Sequence, residues 1–292
     1  MEELLGELTA PFDRLDGARV TALLAQRWGI RAESPERLDT ERDDTYRAGD
    51  HVLKVAHPLD SAGLIRFQVD AMTAAARAGL PVQRVVPALG GDPVVVVDGR
   101  PARVLTWLRG RLLRHSGFGL PEVEKAGRML ARLARALRDV DSPAAHRTFA
   151  WDLQSFGRLE HGYDVRLPEL SGLPHQVIHN DFHPGNLLVD GASEDFVTGI
   201  LDFGDAVYAP RVQDLAVALA YLVPESGDPE PTVTAFVRGY GDLTPAELDV
   251  LPRLIAARLV QRIVLVPRLD PATDPAFVAR LVRTLDNLTG RL

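Results

Sequence analysis

The sequence predicts an α+β protein of two lobes, in which a small antiparallel sheet with one inserted helix precedes a mainly helical part. Short runs of β-branched residues separated by turn signals fill the first hundred residues, whereas apolar residues at helical spacing dominate after Trp107. A length of 292 residues is sufficient for two lobes. We therefore expect an N-terminal lobe of residues 1–108 and a C-terminal lobe of residues 109–292.

The N-terminal lobe is predicted to begin with an amphipathic helix and to continue with hairpins. A helix over Asp16–Trp28 ends at Gly29, because glycine tolerates the left-handed conformation that closes many helices. The pairs Gly49-Asp50 and Asp98-Gly99 are typical of tight turns between antiparallel strands. The predicted strands are Thr45–Ala48, His51–Val55, Val85–Pro87, Val94–Val97 and Ala102–Leu105, and the inserted helix is Gly63–Arg77.

The C-terminal lobe is predicted to consist of helices interrupted by one hairpin. Most of the helices begin with proline, a residue favoured in the first helical turn. The apolar runs Leu187–Val189 and Val197–Leu201 flank the turn-rich hexapeptide DGASED and are predicted to pair. The predicted helices are Pro121–Asp139, Gln213–Tyr221, Pro231–Tyr240, Pro245–Val266 and Pro275–Leu288.

Composition restricts the class of protein and its partners. A formal net charge of −7 argues against nucleic acid, whose binding relies on concentrated lysine and arginine. The absence of cysteine excludes disulfides and zinc–sulfur sites. The first residues lack the cations of a signal peptide, and no apolar run approaches the ~18 residues of a membrane span. We expect a cytoplasmic protein that binds neither membrane nor nucleic acid; its oligomeric state stays open.

Two stretches, HNDFHPGN (His179–Asn186) and LDFGD (Leu201–Asp205), gather polar side chains around the predicted hairpin. Strand pairing brings Asn186, just before the first strand, close to Asp202, just after the second. An amide oxygen and a carboxylate so placed suit Mg²⁺, which prefers oxygen ligands and keeps sites for phosphate and water. Asp181 faces the same point if the intervening loop is tight, and can accept the proton of a substrate hydroxyl.

The order D-x-x-x-x-N followed by D-F-G is that of the base and the two metal ligands of protein kinases, so it indicates phosphoryl transfer. Lys54 lies in the apolar strand HVLKV and would reach the α- and β-phosphates of a nucleotide. The simpler alternatives are that Asp181, Asn186 and Asp202 only form turns and that Lys54 only extends to solvent. Their joint spacing favours the chemical interpretation.

A different chemistry is open for His179, Asp181 and His183, whose spacing by two residues could provide ligands for a zinc or iron hydrolase. That interpretation leaves Lys54, Asn186 and the N-terminal sheet without a role. We therefore favour a structural His179 that hydrogen-bonds the loop. His183 is left open between packing and a supporting contact to the site.

The chain resembles the aminoglycoside phosphotransferase / choline kinase group of small-molecule kinases in HNDFHPGN and LDFGD. The longer strings TERDDTYRAGDHVLKVAHP, FAWDLQ and ILDFGDAVYAPRVQDLAVALAYL are most similar to the hydroxylysine kinase branch. The resemblance extends from about Leu15 to the last helix. It implies a bilobal protein-kinase-like fold with a nucleotide bound in the cleft.

The resemblance also implies roles for individual residues. Asp181 matches the catalytic base, Asn186 and Asp202 match the Mg²⁺ ligands, and Lys54 matches the lysine of the phosphates. The hinge residues, whose backbone meets the purine, are Thr106, Trp107 and Leu108.

Two features depart from the pattern of the group. The loop over the phosphates, Thr40–Tyr46, contains no glycine, so the phosphates are expected to meet backbone amides and Arg42 or Thr45. The glutamate that usually partners the lysine is missing from the following helix, where Gln68 is the nearest match and Asp70 the other candidate. A glutamine can hydrogen-bond the ammonium but brings no charge, so we expect a weaker pair.

Acceptor binding is assigned to the residues after the metal aspartate. A carboxylate at Asp205 could meet a substrate ammonium, and Tyr208 is the second candidate for this surface. Arg211 and Asp214 are expected only to pair with each other at the start of a helix.

The sequence thus predicts a Mg²⁺-dependent kinase that transfers the γ-phosphate of ATP or GTP to a hydroxyl of a small amine or amino acid, as in the hydroxylysine kinase branch. The acceptor itself is not specified, because a shared fold does not transmit substrate. The alternatives are an antibiotic-modifying O-phosphotransferase and a catalytically silent nucleotide-binding scaffold.

Overall fold

The structure, a computed structural model, describes residues 6, 10–40 and 42–290. This part of the chain forms two compact units, which we call the N-terminal unit and the C-terminal unit. The chain passes from one to the other between Arg109 and Gly110, one residue beyond the predicted boundary. The short segment Ser142–Ala145 belongs to the N-terminal unit, a division that the sequence did not indicate.

The N-terminal unit is an antiparallel sheet with two flanking helices in its described part. The elements are α1 (Gly17–Trp28), β1 (Glu36–Leu38), β2 (Asp44–Ala48), β3 (His51–Val55), α2 (Ala62–Arg77), β4 (Val85–Val86), β5 (Val95–Val97) and β6 (Arg100–Thr106). The strand order is β1-β2-β3-β6-β4, and β5 also pairs with β6. Every pair is antiparallel, as the turn signals predicted.

Local sequence explains where these elements begin and end. The Asp16 carboxylate caps α1 by accepting the Arg19 amide at 2.7 Å, and Gly29 ends the helix with a φ of 69°. Asp98 and Gly99 have φ values of 50° and 79°, which suit the tight turn that joins β5 to β6.

The C-terminal unit is mainly helical, with short strands around the central motif. Its helices are α3 (Leu120–Leu137), α4 (Val212–Ser226), α5 (Pro229–Tyr240), α6 (Pro245–Leu269) and α7 (Pro275–Thr289). Its strands are β7 (Arg111–Leu112), β8 (His175–Ile178), β9 (Leu187–Val189), β10 (Val197–Ile200) and β11 (Val207–Pro210). They form the sheets β10-β9-β7 and β11-β8. The predicted hairpin of the motif is thus β9 and β10, and the α+β fold class is confirmed.

Helices α3 and α5 cross closely because each helix has a glycine at the point where it meets the backbone of the other. A Cβ atom at Gly127 would lie 2.2 Å from the carbonyl oxygen of Phe236, and one at Gly239 would lie 2.0 Å from that of Glu124. Real Cβ contacts are never that short, so each position requires a residue without a side chain.

Helix α4 is the centre of the C-terminal unit, since all residues over 212–220 are buried. Helix α6 packs against it and begins with a capping box between Thr244 and Glu247. Among the described residues, no helix combines the length and apolarity needed to cross a membrane.

Strands β1, β7, β8 and β11 were not predicted. They contain two to four residues each, too few for the alternation of polar and apolar residues to be recognised. Strands β8 and β11 also depend on a pairing between distant segments, in which Val177 lies opposite Tyr208.

Candidate active site

In the N-terminal unit, Lys54 lies within β3 and is 8% exposed. Its Nζ is 3.3 Å from the Oδ2 atom of Asp43, which precedes β2 in the predicted phosphate loop. The structure therefore gives Lys54 an acidic partner that the sequence did not suggest. Of the two predicted partners, Asp70 is exposed, and Gln68 accepts a hydrogen bond from Arg103 through Oε1 at 2.9 Å.

The two predicted phosphate contacts from the loop have different surroundings. Thr45 lies in β2 directly opposite Lys54 and is buried, so it shares the face of the sheet that carries the lysine. The Arg42 guanidinium binds Asp60, with Nη2 2.7 Å from Oδ1 and Nε 3.1 Å from Oδ2. This bidentate pair ties the loop to the segment before α2.

The predicted hinge is held by backbone hydrogen bonds. The amide of Thr106 donates to the carbonyl of Arg84 at 2.8 Å, and the amide of Trp107 donates to that of Asp50 at 2.7 Å. The Trp107 ring lies under the guanidinium of Arg47, 4.3 Å from its centroid. These bonds occupy the amides of two of the three predicted residues, so the Leu108 amide is the stronger candidate for a contact with a purine.

In the C-terminal unit, Asp214 anchors the loop that follows β8. Its Oδ2 accepts the amide of His179 at 3.0 Å and its Oδ1 accepts the amide of Asn180 at 2.7 Å. Burial raises the pKa of Asp214 to about 7, although both hydrogen bonds oppose that shift. The predicted pair of Arg211 with Asp214 is wrong, because Arg211 instead makes a bidentate pair with Glu247, with Nε 2.7 Å from Oε1.

His179 is the structural residue that we favoured. It is fully buried, its Nδ1 accepts the amide of Asp181 at 3.2 Å, and its Nε2 lies 3.1 Å from the carbonyl of Leu201. Burial lowers its pKa, which keeps the ring neutral. Both ring nitrogens are therefore engaged in holding the loop, and no cluster of three His, Cys, Asp or Glu residues among the described positions could hold a zinc or iron ion.

The Asp181 carboxylate is held between an amide and an imidazole. Asn186 donates from Nδ2 to Oδ2 at 2.5 Å, and Nε2 of His183 lies 3.2 Å from Oδ1. The other ring nitrogen of His183 accepts the amide of Gly185 at 2.9 Å, so Nε2 carries the hydrogen toward Asp181. His183 therefore makes a supporting contact to the site and is not merely packed.

Charge around Asp181 keeps it ionised. Burial by itself raises its pKa, but His183, through its electrostatic interaction and its hydrogen bond, and then Arg258 hold the pKa below the ordinary value. Arg258 comes from α6, is 1% exposed, and places Nη2 3.9 Å from Oδ1 of Asp181. His183 stacks on Tyr221 at 4.3 Å between ring centroids, which fixes its plane. An ionised carboxylate in a rigid frame suits a proton acceptor.

The two residues predicted to bind Mg²⁺, Asn186 and Asp202, lie at the open end of the hairpin. The amide of Leu201 donates to the carbonyl of Asn186 at 2.8 Å, so Asp202 is the next residue after the one opposite Asn186. Asp202 has a φ of 56°, and its Oδ1 accepts the amide of Gly204 at 3.0 Å. Because Asn186 directs Nδ2 at Asp181, its Oδ1 remains as an oxygen donor. The donor set of an amide oxygen and a carboxylate fits Mg²⁺ with phosphate and water completing its shell.

Asp205 belongs to the same charged group. Burial and then the charge of Asp181 raise the pKa of Asp205 to about 7, while Arg147 and Arg258 act in the opposite direction. Arg147 donates from Nη2 to the carbonyl of Gly204 at 2.6 Å, so it also fixes the segment that carries Asp205. A partly buried carboxyl whose pKa is raised by burial and by Asp181 is compatible with the predicted contact to an acceptor.

Tyr208 faces a different space. Its ring contacts those of His146 and His175, at 4.6 and 5.9 Å between centroids, and it is 37% exposed. These residues line a polar cavity of about 320 Å³ together with the segment that contains Asp152. The contacts of Tyr208 thus connect it to this cavity, while Asp205 is connected electrostatically to Asp181.

Sequence reasoning did not identify Arg258, or the bond from Asp214 to the loop. A signal for the arginine was present: Arg258 and Arg262 lie four residues apart within the apolar run LIAARLVQRIVL. Charged residues on one buried face of a helix require partners, and partners of that kind are frequent at functional sites. Asp214 gave no comparable signal, since its bonds run to backbone amides.

The chain is similar to known proteins in both sequence and structure. The chain is 27% identical over 295 residues to the hydroxylysine kinase of Danio rerio, covering 86% of this chain and 83% of the relative. Among solved structures, the amicoumacin kinase hAmiN in complex with AMP-PNP, Ca²⁺ and Ami superposes with a TM-score of 0.72 at 17% identity, covering 95% of this chain and 94% of that one. A microcompartment-associated aminopropanol kinase superposes at 0.64 with 20% identity, covering 94% and 95%.

These structural likenesses establish a kinase-like fold of the aminoglycoside phosphotransferase type. The family model described as "Phosphotransferase enzyme family" matches residues 36–251, a span that includes Lys54, Asp181, Asn186 and Asp202. The match covers well over half of the chain, and the protein therefore belongs to the phosphotransferase enzyme family.

Proposed function

We propose that this protein is a Mg²⁺-dependent kinase that transfers the γ-phosphate of ATP or GTP to a hydroxyl of a small amine or amino acid. Its family makes it a phosphotransferase with an alcohol group as acceptor, and its relatives make it a small-molecule kinase. The donor, the metal and the class of acceptor are the proposed part. The observation that carries the proposal is the bonded pair of Asp181 and Asn186 beside Asp202.

Asp181 is proposed to act on the acceptor hydroxyl. The hydroxyl oxygen attacks the γ-phosphorus, the bond from that phosphorus to the β–γ bridging oxygen breaks, and the hydroxyl proton passes to Asp181 late in the transfer. The lowered pKa supports this role, because the carboxylate is ionised at neutral pH and free to accept. His183 and Asn186 orient the two oxygens of Asp181, so the acceptor hydroxyl meets a fixed group.

Asn186, through Oδ1, and Asp202 are the residues that would hold Mg²⁺. When bound, the ion would offset the negative charge of the phosphates. Lys54 is proposed to contact the α- and β-phosphates, and the Leu108 backbone is proposed to meet the purine.

The acceptor is proposed to carry an ammonium group that pairs with Asp205. The raised pKa supports such a contact, since a carboxyl that is buried and lies near Asp181 and Asp202 is stabilised in its ionised form by a cationic ligand. The name of the Danio rerio relative agrees with an amino acid acceptor, and that of the aminopropanol kinase agrees with an amino alcohol.

The test is phosphoryl transfer from γ-labelled ATP and GTP, with Mg²⁺, to a panel of hydroxylated amino acids, amino alcohols and aminoglycosides. Labelled product from one of the first two groups is the expected result. Product only from aminoglycosides would favour an antibiotic-modifying enzyme. Nucleotide binding in a thermal-shift assay without transfer to any acceptor would favour a nucleotide-binding scaffold.

A further inference from the structure

Two cations lie side by side on one buried face of the N-terminal sheet. In the register of β2, β3 and β6, Thr45 is opposite Lys54, and Lys54 is opposite Arg103. We call these three residues the cross-strand row. Residues directly opposite on antiparallel strands have their Cβ atoms about 5 Å apart, and like charges in that position repel. Arg103 is 2% exposed, so water does little to screen this repulsion.

Asp43 relieves that repulsion. Its Oδ2 is 3.3 Å from Nζ of Lys54 and 3.4 Å from Nη2 of Arg103, so one carboxylate oxygen is shared by both cations. The same Nη2 atom donates to Oε1 of Gln68 at 2.9 Å. The helix after β3 thus provides a neutral acceptor for Arg103, and the charge that balances the row comes from the loop before β2.

We propose that Asp43 is the positioning residue of Lys54, and that Arg103 holds Asp43 in place. The proposal rests on the proposed function, in which Lys54 binds nucleotide phosphates. Arg103 is proposed to act through Asp43 and Gln68, both of which its Nη2 contacts, and not on the nucleotide. In this protein the carboxylate that orients the lysine comes from the phosphate loop, whereas in the group it usually comes from the helix after the lysine strand.

This arrangement gives the loop a second role. The loop Thr40–Tyr46 lacks glycine, and residue 41 lies outside the described residues. Its residues Arg42 and Asp43 are held by the pair of Arg42 with Asp60 and by the contacts of Asp43 with Lys54 and Arg103. Orientation of Lys54 therefore depends on the loop being in place. A variant that frees the loop should disturb the lysine, whereas in a chain with a glutamate on the helix the two would be independent.

The first test is Asp43→Asn, which keeps the shape of the side chain and removes its charge. We expect the dissociation constant for Mg²⁺-nucleotide, measured by calorimetry without acceptor, to rise about tenfold or more, since a charge-assisted hydrogen bond is lost. KM for the nucleotide should rise similarly, while KM for the acceptor stays the same. The matched control is Asp70→Asn, which removes an exposed carboxylate from α2 and should change neither constant.

The decisive variant is the double substitution Asp43→Asn with Gln68→Glu. It removes the carboxylate from the loop and places one on the helix, at the residue that already accepts the hydrogen bond of Arg103. Recovery of most of the lost nucleotide affinity is expected, and a merely structural role for Asp43 would give no such rescue. Arg103→Gln, which no longer holds Asp43, should weaken nucleotide binding in the same direction. Should Asp43→Asn fail to fold, Asp43→Glu keeps the charge at a shifted position and is expected to weaken binding less than tenfold.

Unchanged nucleotide affinity in the folded Asp43 variant, or absence of rescue by Gln68→Glu, would overturn the proposal. Either result leaves the unaltered protein able to bind nucleotide and transfer phosphate. Failure of the unaltered protein itself to do so is a separate outcome that would overturn the proposed function.

Discussion

The guanidinium of Arg258 lies 3.9 Å from the carboxylate of Asp181, from Nη2 to Oδ1, and is almost fully buried. It also opposes the rise in pKa of Asp205 and Asp214, so it is the shared cation of three carboxyl groups. Its Nη1 also donates to the carbonyl of Trp151 and, at 3.3 Å, to Oε1 of Gln261, and its guanidinium lies over the Trp151 ring. One arginine of α6 thus connects the loop that carries Asp181 with the segment that contains Trp151.

Replacing Arg258 by leucine should therefore destabilise the protein more at high pH than at low pH. At pH 8 the carboxyls lose their buried counter-ion while ionised, and we expect a loss of about 3–5 kcal/mol in the free energy of unfolding. At pH 5 the two carboxyls with pKa values of about 7 bind protons, so the loss should be smaller. Denaturant unfolding at both pH values measures the difference.

The control for this substitution is Arg253→Leu, at an exposed position of the same helix. It should change the unfolding free energy by no more than ~0.5 kcal/mol at either pH. An equal loss for Arg258→Leu at pH 5 and pH 8 would show that the guanidinium stabilises through packing and not as a counter-ion.

Substitution of Asp181 by asparagine should reduce turnover without weakening nucleotide binding. The amide cannot accept the hydroxyl proton, and general-base catalysis typically contributes about 10²–10⁴-fold in rate. Steady-state kinetics give kcat, and calorimetry with Mg²⁺-nucleotide gives the affinity. Asp195→Asn, on the exposed turn between β9 and β10, is the control and should leave both values unchanged. Full activity of Asp181→Asn would refute the assignment of the base.

Removal of the Asp202 carboxylate should abolish the effect of magnesium on nucleotide binding. Asp202→Ala loses one of the two proposed protein ligands, so titration with Mg²⁺ at fixed nucleotide should give no increase in affinity, as if a chelator were present. Asp202→Asn keeps an oxygen for the Gly204 amide and should show a partial magnesium response. A Mg²⁺ titration of Asp202→Ala that matches the unaltered protein would contradict the metal assignment.

The close crossing of α3 and α5 makes Gly127 and Gly239 sensitive to a single methyl group. Gly239→Ala places Cβ against the carbonyl oxygen of Glu124, so the helices must separate, and we expect a loss of about 1–3 kcal/mol in unfolding free energy. Gly157→Ala has nothing within 4 Å of the added Cβ and should have little effect. Thermal unfolding of both variants tests this; equal melting temperatures would contradict the tight crossing.

The sequence was informative about the site where the chemistry is local. The spacing of one loop and one hairpin predicted that Asp181, Asn186 and Asp202 lie together. In the structure Asn186 bonds to Asp181, and Asp202 follows the residue paired with Asn186, because a hairpin fixes which residues meet at its open end. The tight turn at Asp98-Gly99 and the end of α1 at Gly29 followed from the φ values those residues adopt easily.

The sequence was less informative where a side chain contacts a segment that is distant in the chain. Nothing near Lys54 in the chain indicates whether a helix or a loop provides its carboxylate, and the structure places Asp43 there. Arg211 could reach either Asp214, three residues away, or Glu247, and the bidentate geometry with Glu247 decides between them. Such choices depend on tertiary packing, which periodicity and spacing do not encode.

Asp205 should make acceptor binding depend on pH. Its pKa of about 7 means that the carboxyl is protonated below that value and ionised above it. A substrate ammonium, with a pKa near 10, stays charged over this range, so KM for the acceptor should fall as the pH rises from 6 to 8. KM is measured with Mg²⁺ present, and because a bound magnesium ion stabilises the carboxylate, the fall in KM should be centred below pH 7.

Substituting asparagine for Asp205 should remove this dependence. The expected result is a KM for the acceptor that is raised about tenfold and is flat between pH 6 and 8, since the charge-assisted bond to the ammonium is lost. Asp249→Asn, at an exposed position of α6, should keep the slope of the unaltered protein. Nucleotide KM is measured in parallel and should not change. If Asp205→Asn retained the same fall in acceptor KM with pH, another group would have to bind the ammonium. Asp205 would then affect only the electrostatic environment of Asp181.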